Sequence, residues 1–206
     1  MMAAWRNWVA ALALVGPSLV FAAGADENVS LVFSGDMVLD DVAGEMIRRG
    51  ADPFADFAPM FAGADIRIGN LECVVATTGS AGHKNFTFRA HPRTLPVLKR
   101  HFDAVALANN HSGDFGREAF AEMLGLIQQA GLGKLGGGRN LSQAHAPWVV
   151  ERHGLRIAFL SYNEFMPRSF EADHDAPGVA WSEDEQVVDD IRRARQVHRA
   201  DLVIPI

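Results

Sequence analysis

Four side chains in this sequence have the chemistry of a cation site: Asp36, Glu72, Asn110 and His111. Each belongs to a polar cluster that directly follows an apolar run. Gly35-Asp36 follows residues 29–34, Gly69-Asn70-Leu71-Glu72 follows 64–68, and Asn109-Asn110-His111-Ser112-Gly113-Asp114 follows 102–108. An Asp, a Glu, an Asn oxygen and an imidazole together suit a hard or borderline divalent cation such as Mn, Zn, Fe or Mg. Paired ions about 3.5–4 Å apart would need a bridging carboxylate and would clamp a phosphoryl oxygen. Singly, each residue also has a plainer use. Asp36 can cap the next turn, Asn70 can form an Asx turn, and Glu72 can be a solvated acid. Asn109 and Asn110 can satisfy loop backbone, and His111 can hydrogen-bond without metal. Three such clusters at three strand ends favour a shared site.

Other chemistries find less support. The sequence holds neither a Gly-x-Ser-x-Gly nucleophile elbow nor a helical His-Glu-x-x-His zinc motif, which disfavours serine hydrolase and zincin chemistry. Gly136-Gly137-Gly138 precedes Arg139-Asn140 but lacks the Gly-Lys-Ser/Thr ending of a P-loop, so a tight loop is the favoured reading over an anion cradle. Cys73 has no neighbouring cation to activate it and reads as a small buried hydrophobe. The other histidines (83, 91, 101, 145, 153, 174 and 198) are scattered over loops and helix ends and read as solvated.

The elements that must position the four residues follow from periodicity. Residues 29–34, 64–69 and 102–108 are apolar or alternating runs ended by turn residues, the pattern of strands. Helices are expected at 40–49, at 93–101, and at 117–130, where Phe120, Met123, Leu124 and Ile127 recur at three- and four-residue steps. A loop spans 77–85 and a short extended piece 86–89. Residues 147–151 and 155–161 flank His153-Gly154 as a hairpin. Residues 183–199 form a polar helix, acidic first and basic last, as its dipole prefers. An apolar strand starts at Leu202. Strand–helix alternation followed by a hairpin gives an α/β or α+β sandwich. Open α/β sheets gather ligands outside the carboxyl ends of their strands, where Asp36, Glu72, Asn110 and His111 would meet.

Composition bounds the rest. The chain has 206 residues, 49% hydrophobic and 21% charged, enough for one globular domain and unlike a disordered chain. A formal charge of −6 with no Lys/Arg cluster argues against nucleic acid as a partner. The single cysteine excludes an internal disulfide. Arg6, an uncharged stretch over 7–25 and small residues at 22–24 have the layout of a secretory signal peptide ending near Ala22 or Ala23. The expected organisation is a signal peptide at 1–23 and a domain over 29–206. The location is periplasmic or cell-envelope, or membrane-anchored if that N-terminus stays uncleaved.

The three strand-end stretches also carry a resemblance. Phe33-Ser34-Gly35-Asp36-Met37-Val38-Leu39, Gly69-Asn70-Leu71-Glu72 and Phe102-Asp103-Ala104-Val105-Ala106-Leu107-Ala108-Asn109-Asn110-His111 resemble the CapA-type capsule and poly-gamma-glutamate biosynthesis proteins, themselves similar to calcineurin-like metallophosphoesterases. Asp114-Phe115-Gly116, the stretch 136–140 and the stretch 154–162 follow in the family's order. The resemblance implies an α/β (α+β) four-layer metallophosphoesterase-like sandwich, incomplete at the C-terminus. Asp36 would match the first metal-binding aspartate, and Glu72 the acid standing in for the bridging one. Asn110 would match a metal-binding Asn, and His111 the catalytic histidine that supports phosphate or water. The family's later His-Trp-Gly and Gly-His-His-Pro-His motifs are not in this sequence, nor is the usual Asp-x-His after Gly35. The implied function is capsule or poly-gamma-glutamate polymer synthesis or export, with metal-dependent hydrolysis of phosphoesterase type. The implied partners are an anionic polymer or phosphoester substrate and a membrane synthesis complex. The alternatives are a non-catalytic polymer-binding subunit of such a complex, or an inactive fragment.

Overall fold

The computed structural model describes residues 28–206, so the expected leader at 1–23 lies outside the described residues. In chain order the elements are β1 (Leu31–Asp36), α1 (Asp41–Arg48), α2 (Ala58–Phe61), β2 (Ile66–Asn70), β3 (Val74–Val75), β4 (Arg89–Ala90), α3 (Leu95–His101), β5 (Ala104–Ala106) and α4 (Gly116–Gln129). They continue with β6 (Gly133–Leu135), β7 (Gly137–Gly138), α5 (Leu141–Ala144), β8 (Trp148–Arg152), β9 (Leu155–Leu160), β10 (Gly178–Val179), α6 (Asp184–Gln196) and β11 (Leu202–Pro205).

The site rests on a four-stranded sheet in the order β1-β2-β5-β6, parallel throughout. The order never reverses, so right-handed crossovers put every connecting helix on the same face. Ile47 of α1, Phe61 of α2, Leu98 of α3 and Phe120, Met123 and Ile127 of α4 accordingly share one core cluster with Val105 of β5. Residues alternate across a strand. Ala104 and Ala106 therefore leave that cluster and join Ile66 and Ile68 in a second one.

That second cluster also holds Ile157 and Phe159 of β9, with Trp148 and Val150 of β8 packed against it. These strands belong to a three-stranded sheet ordered β11-β9-β8, with β11 parallel and β8 antiparallel to β9. The same alternation sends Ala158, Val149 and Val203 to the opposite face, against Ala194 of α6. The chain is thus a mixed α/β fold built on a parallel sheet. The β8–β9 turn falls where expected, on His153 and Gly154 with φ of 49° and 81°.

Three sequence expectations change. His101 and His145 are buried rather than solvated, each paired with a carboxylate: His101 Nε2 lies 2.8 Å from Asp52 Oδ2, and His145 Nδ1 2.6 Å from Asp190 Oδ2. The stretch 136–138, expected as a tight loop, instead carries a short strand, β7, over Gly137 and Gly138. Gly137 and Gly138 of β7 pair antiparallel with β10.

Candidate functional site

The carboxyl ends of β1, β2 and β5 supply the site. β1 does not run straight into it: its register against β2 shifts between Phe33 and Asp36, and Gly35 takes φ of 72°. Such an irregularity re-aims the following side chain, and here it sets Asp36 opposite Asn70. Gly69 lies beside it. A Cβ there would meet the Met37 thioether and Ser34 Oγ, side-chain atoms that pack over this strand end.

Asn70 lies between the two predicted acidic ligands. Its Nδ2 donates to Asp36 Oδ1 at 2.8 Å and also to Glu72 Oε2. Its Oδ1 accepts from Asn109 Nδ2 at 3.0 Å, which ties the β2 end to the β5 end. Asn109 is a brace: its Nδ2 donates to the Leu71 carbonyl at 2.9 Å, and its Oδ1 accepts from the backbone N–H of His111 and of Ser112. The loop-satisfying role open to it in the sequence is the one it plays.

Glu72 is nearly buried, at 9% exposure. Burial raises its carboxyl pKa, the Asn70 amide pulls it down, the Asp36 charge raises it again and His111 lowers it. Glu72 therefore senses the charges of both Asp36 and His111. Asn110 differs. No hydrogen bond among the described residues joins its side chain to Asp36 or Glu72. It lines an adjacent cleft of about 240 Å³ instead, with Lys84, Asn109, Asn163 and Phe165 among its other walls.

The sequence reading passed over two residues that support His111. Asp114, fully buried, places Oδ2 2.7 Å from His111 Nδ1 and also accepts from the Phe88 N–H at 2.9 Å. Its Oδ1 accepts from Lys84 Nζ at 2.7 Å, and Lys84 donates as well to the Asn110 carbonyl. Phe88 packs on the imidazole at 4.6 Å between centroids. The three-residue spacing of His111 and Asp114 was a signal for the first contact. Lys84 gave none.

Two carboxylates and amide oxygens form a hard donor set, matched to Mg or Mn more than to a thiophilic metal. Among the described residues no group of three His, Cys, Asp or Glu side chains stands close enough to hold a metal ion, so Asn110 or Asn70 would have to contribute oxygen. Cys73 lies beside Glu72 but is fully buried, which pushes its thiol up to about 12 and keeps it out of any chemistry.

Residues 30–206 match the family described as bacterial capsule synthesis protein PGA_cap. The chain is 26% identical over 186 residues to a PGA biosynthesis protein CapA of Bacillus subtilis (strain 168), covering 87% of this chain and 48% of that one. It is 24% identical over 188 residues to a capsule biosynthesis protein CapA of Bacillus anthracis, covering 87% and 46%. A probable polyglutamine synthesis accessory protein of Mycobacterium tuberculosis (strain ATCC 25618 / H37Rv) is 31% identical over 121 residues, covering 56% and 32%. The chain spans less than half the length of these relatives. On the extent of the family match, this chain belongs to the bacterial capsule synthesis PGA_cap family.

Proposed function

We propose that this chain works in the assembly or export of a capsule polymer of the poly-gamma-glutamate type, outside the cytoplasm, through a metallophosphoesterase-like cation site. One observation carries the reading. The ends of three parallel strands bring Asp36 and Glu72 onto the one Asn70 amide, with Asn109 tying Asn70 to the backbone N–H of His111. The order of packing, α1–α4, parallel sheet, second sheet and α6, supports the four-layer form of such a fold.

Asp36, Glu72 and a side-chain amide oxygen, from Asn110 or Asn70, would hold a divalent cation, Mn or Mg by donor type, with Zn and Fe as the softer choices. A cation there supplies Lewis acidity toward a phosphoryl oxygen. The protein's own part is positional. Asp114 fixes the His111 ring through Nδ1, which leaves Nε2 to give or take a proton at the reacting group. Asn70 keeps the two acids apart, and Phe88 limits water on one face of the imidazole.

The test is a titration with Mn²⁺, followed by calorimetry and by thermal melts with and without chelator. Binding and a raised melting temperature are expected, and both should be lost in Asp36→Ala. In a full-length relative, His111→Ala should abolish metal-dependent activity and leave metal-dependent stabilisation in place. No binding by the unsubstituted protein, or activity unchanged in both variants, would overturn the proposal. The second reading, a non-catalytic polymer-binding subunit, is favoured by the amide-rich cleft beside the site. It is met by retention on gamma-linked polyglutamate when His111→Ala changes nothing.

A further inference from the structure

Residues 77–88, which join β3 to β4, lie as a strap over the loop that carries Asn110, His111 and Asp114. From Ser80 to Thr87, and among the described residues, the hydrogen bonds that leave the strap reach only that loop. The Gly82 N–H donates to the Asp114 carbonyl at 2.7 Å, and Lys84 Nζ donates to Asp114 Oδ1 and the Asn110 carbonyl. Phe88, where the strap ends, adds its N–H on Asp114 Oδ2 and its ring against His111. No helix or strand lies within 77–88, so the path of the strap depends on what holds its two ends.

The far end is held by β4, paired with β3, and by the Arg89 N–H on Asp40 Oδ2 at 2.9 Å. The near end rests on Glu122 of α4. That one carboxyl group accepts the backbone N–H and the Oγ1–H of both Thr77 and Thr78. Burial raises its pKa, but the bonds from Thr78 and Thr77 outweigh burial and bring it down to about 2. The acceptor therefore stays charged, and hydrogen bonds to a charged acceptor are the strong ones. Just after this latch, Gly79 takes φ of 81° and passes so close to the Phe115 carbonyl that a Cβ would collide with it. Phe115 follows Asp114 directly, so the latch and the His111 support meet within one residue of chain.

We infer that Glu122 is a positioning residue for the strand-end site: by latching Thr77 and Thr78 it holds the strap over the 109–116 loop and so fixes Asp114 and His111 without touching either. A carboxylate that collects four donors from one loop has a plain use, closing that loop. Here the loop so closed spends its remaining outward bonds on Asp114 and Asn110, which turns a local latch into support for the imidazole. The inference rests on the reading of His111 as the group that moves a proton, and adds a residue of α4 on which the ring's orientation depends.

The test follows the intact, metal-free protein by amide hydrogen exchange and by nitrogen NMR of the His111 ring. Glu122→Gln keeps the shape of the side chain and replaces one acceptor oxygen with a donor. Exchange over residues 79–87 should then quicken about tenfold or more, the scale of one hydrogen bond to a charged group. Exchange in α4 and β5 should not change, and His111 should pass from one tautomer to a mixture. Thr78→Val cuts a single bond and leaves the carboxylate, so it should give a smaller change of the same kind. Thr78→Ser, which keeps the hydroxyl, should behave as the unsubstituted protein. Lys84→Met should reproduce the ring change, and adding Glu122→Gln to it should move the ring no further, because both act along one strap. An unchanged strap in Glu122→Gln, a loosened strap with an unchanged His111 ring, or ring effects that add in the double variant would overturn the inference. Neither readout needs substrate or cation. A protein that binds no Mn²⁺ and hydrolyses nothing would therefore lose the proposed function, while the inference would still stand or fall on the ring.

Discussion

Asp114 Oδ2 lies 2.7 Å from His111 Nδ1, three residues along the chain and on a carboxyl group with no solvent exposure. Two other donors, the Phe88 N–H and Lys84 Nζ, converge on that carboxyl group, which marks it as the acceptor. Nδ1 therefore carries the proton, and Nε2 is the nitrogen left for chemistry. The relationship makes Asp114 a positioning residue whose effect passes through the ring it holds.

Replacing Asp114 with Asn tests this. The amide cannot accept at both oxygens, so the imidazole loses its fixed tautomer. Metal-dependent hydrolysis by a full-length relative should fall about 100-fold or more, the lower part of the range for a positioned acid or base. Nitrogen NMR of His111 in the variant should show mixed tautomers. A single unchanged tautomer with full activity would remove Asp114 from the mechanism.

The strand ends were legible in the sequence because short apolar runs closed by Asp, Asn and Gly have few other uses in a fold. Asp36, Glu72 and His111 stand near one another for that reason. Lys84 was not legible, since it reaches Asp114 across 30 residues of chain through a loop with no periodicity. His101 and His145 were misread for a related reason. Their carboxylate partners, Asp52 and Asp190, are 49 and 45 residues away, and a histidine's type says nothing of such a partner. The second sheet was half legible: the hairpin announced itself, but the parallel pairing of β11 with β9 depends on where α6 packs.

Glu72 gives a pH signature. Burial raises its folded pKa above the unfolded value, so between the two the folded state binds more protons. Stability of the metal-free protein from this group therefore rises as pH falls through that window and is lowest above it. Glu72→Gln removes the charge and keeps an acceptor for Asn70. In chelator at pH 7.5 it should stabilise the fold by about 0.5–2 kcal/mol, flatten the stability profile across the carboxylate range, and abolish Mn²⁺ stabilisation. Urea melts at several pH values check this. A variant that is less stable in chelator would contradict the burial argument.

Phe159 is the packing test. Its ring is fully buried between the sheets, 6.4 Å from Phe33 and 5.5 Å from Trp148 by centroid. Phe159→Ala should cost about 3–5 kcal/mol, the range for a large aromatic cut from a core. Phe159→Leu should cost less because it refills most of the space. A loss under about 1 kcal/mol for Ala, the size of an average substitution, would mean that the sheets do not pack through this residue.

Asp190 anchors α6 in the same way that Asp114 anchors His111, but with no outlet to the site. It is 2% exposed; its Oδ2 faces His145 Nδ1 at 2.6 Å and accepts from Tyr162 OH at 3.0 Å, and its Oδ1 accepts from Gln186 Nε2 at 2.9 Å. The three partners come from the end of α5, the end of β9 and α6 itself, so one carboxyl group joins three elements. Asp190→Ala strips all three, and breaking a buried pair typically costs about 3–5 kcal/mol. Asp190→Asn keeps one acceptor oxygen and should lose less. Both variants should retain Mn²⁺ affinity wherever they remain folded, because no atom of the group touches Asp36, Glu72 or Asn110. Chemical denaturation with and without Mn²⁺ separates the two effects. Loss of metal binding in folded Asp190→Asn would show that this cluster and the strand ends are coupled.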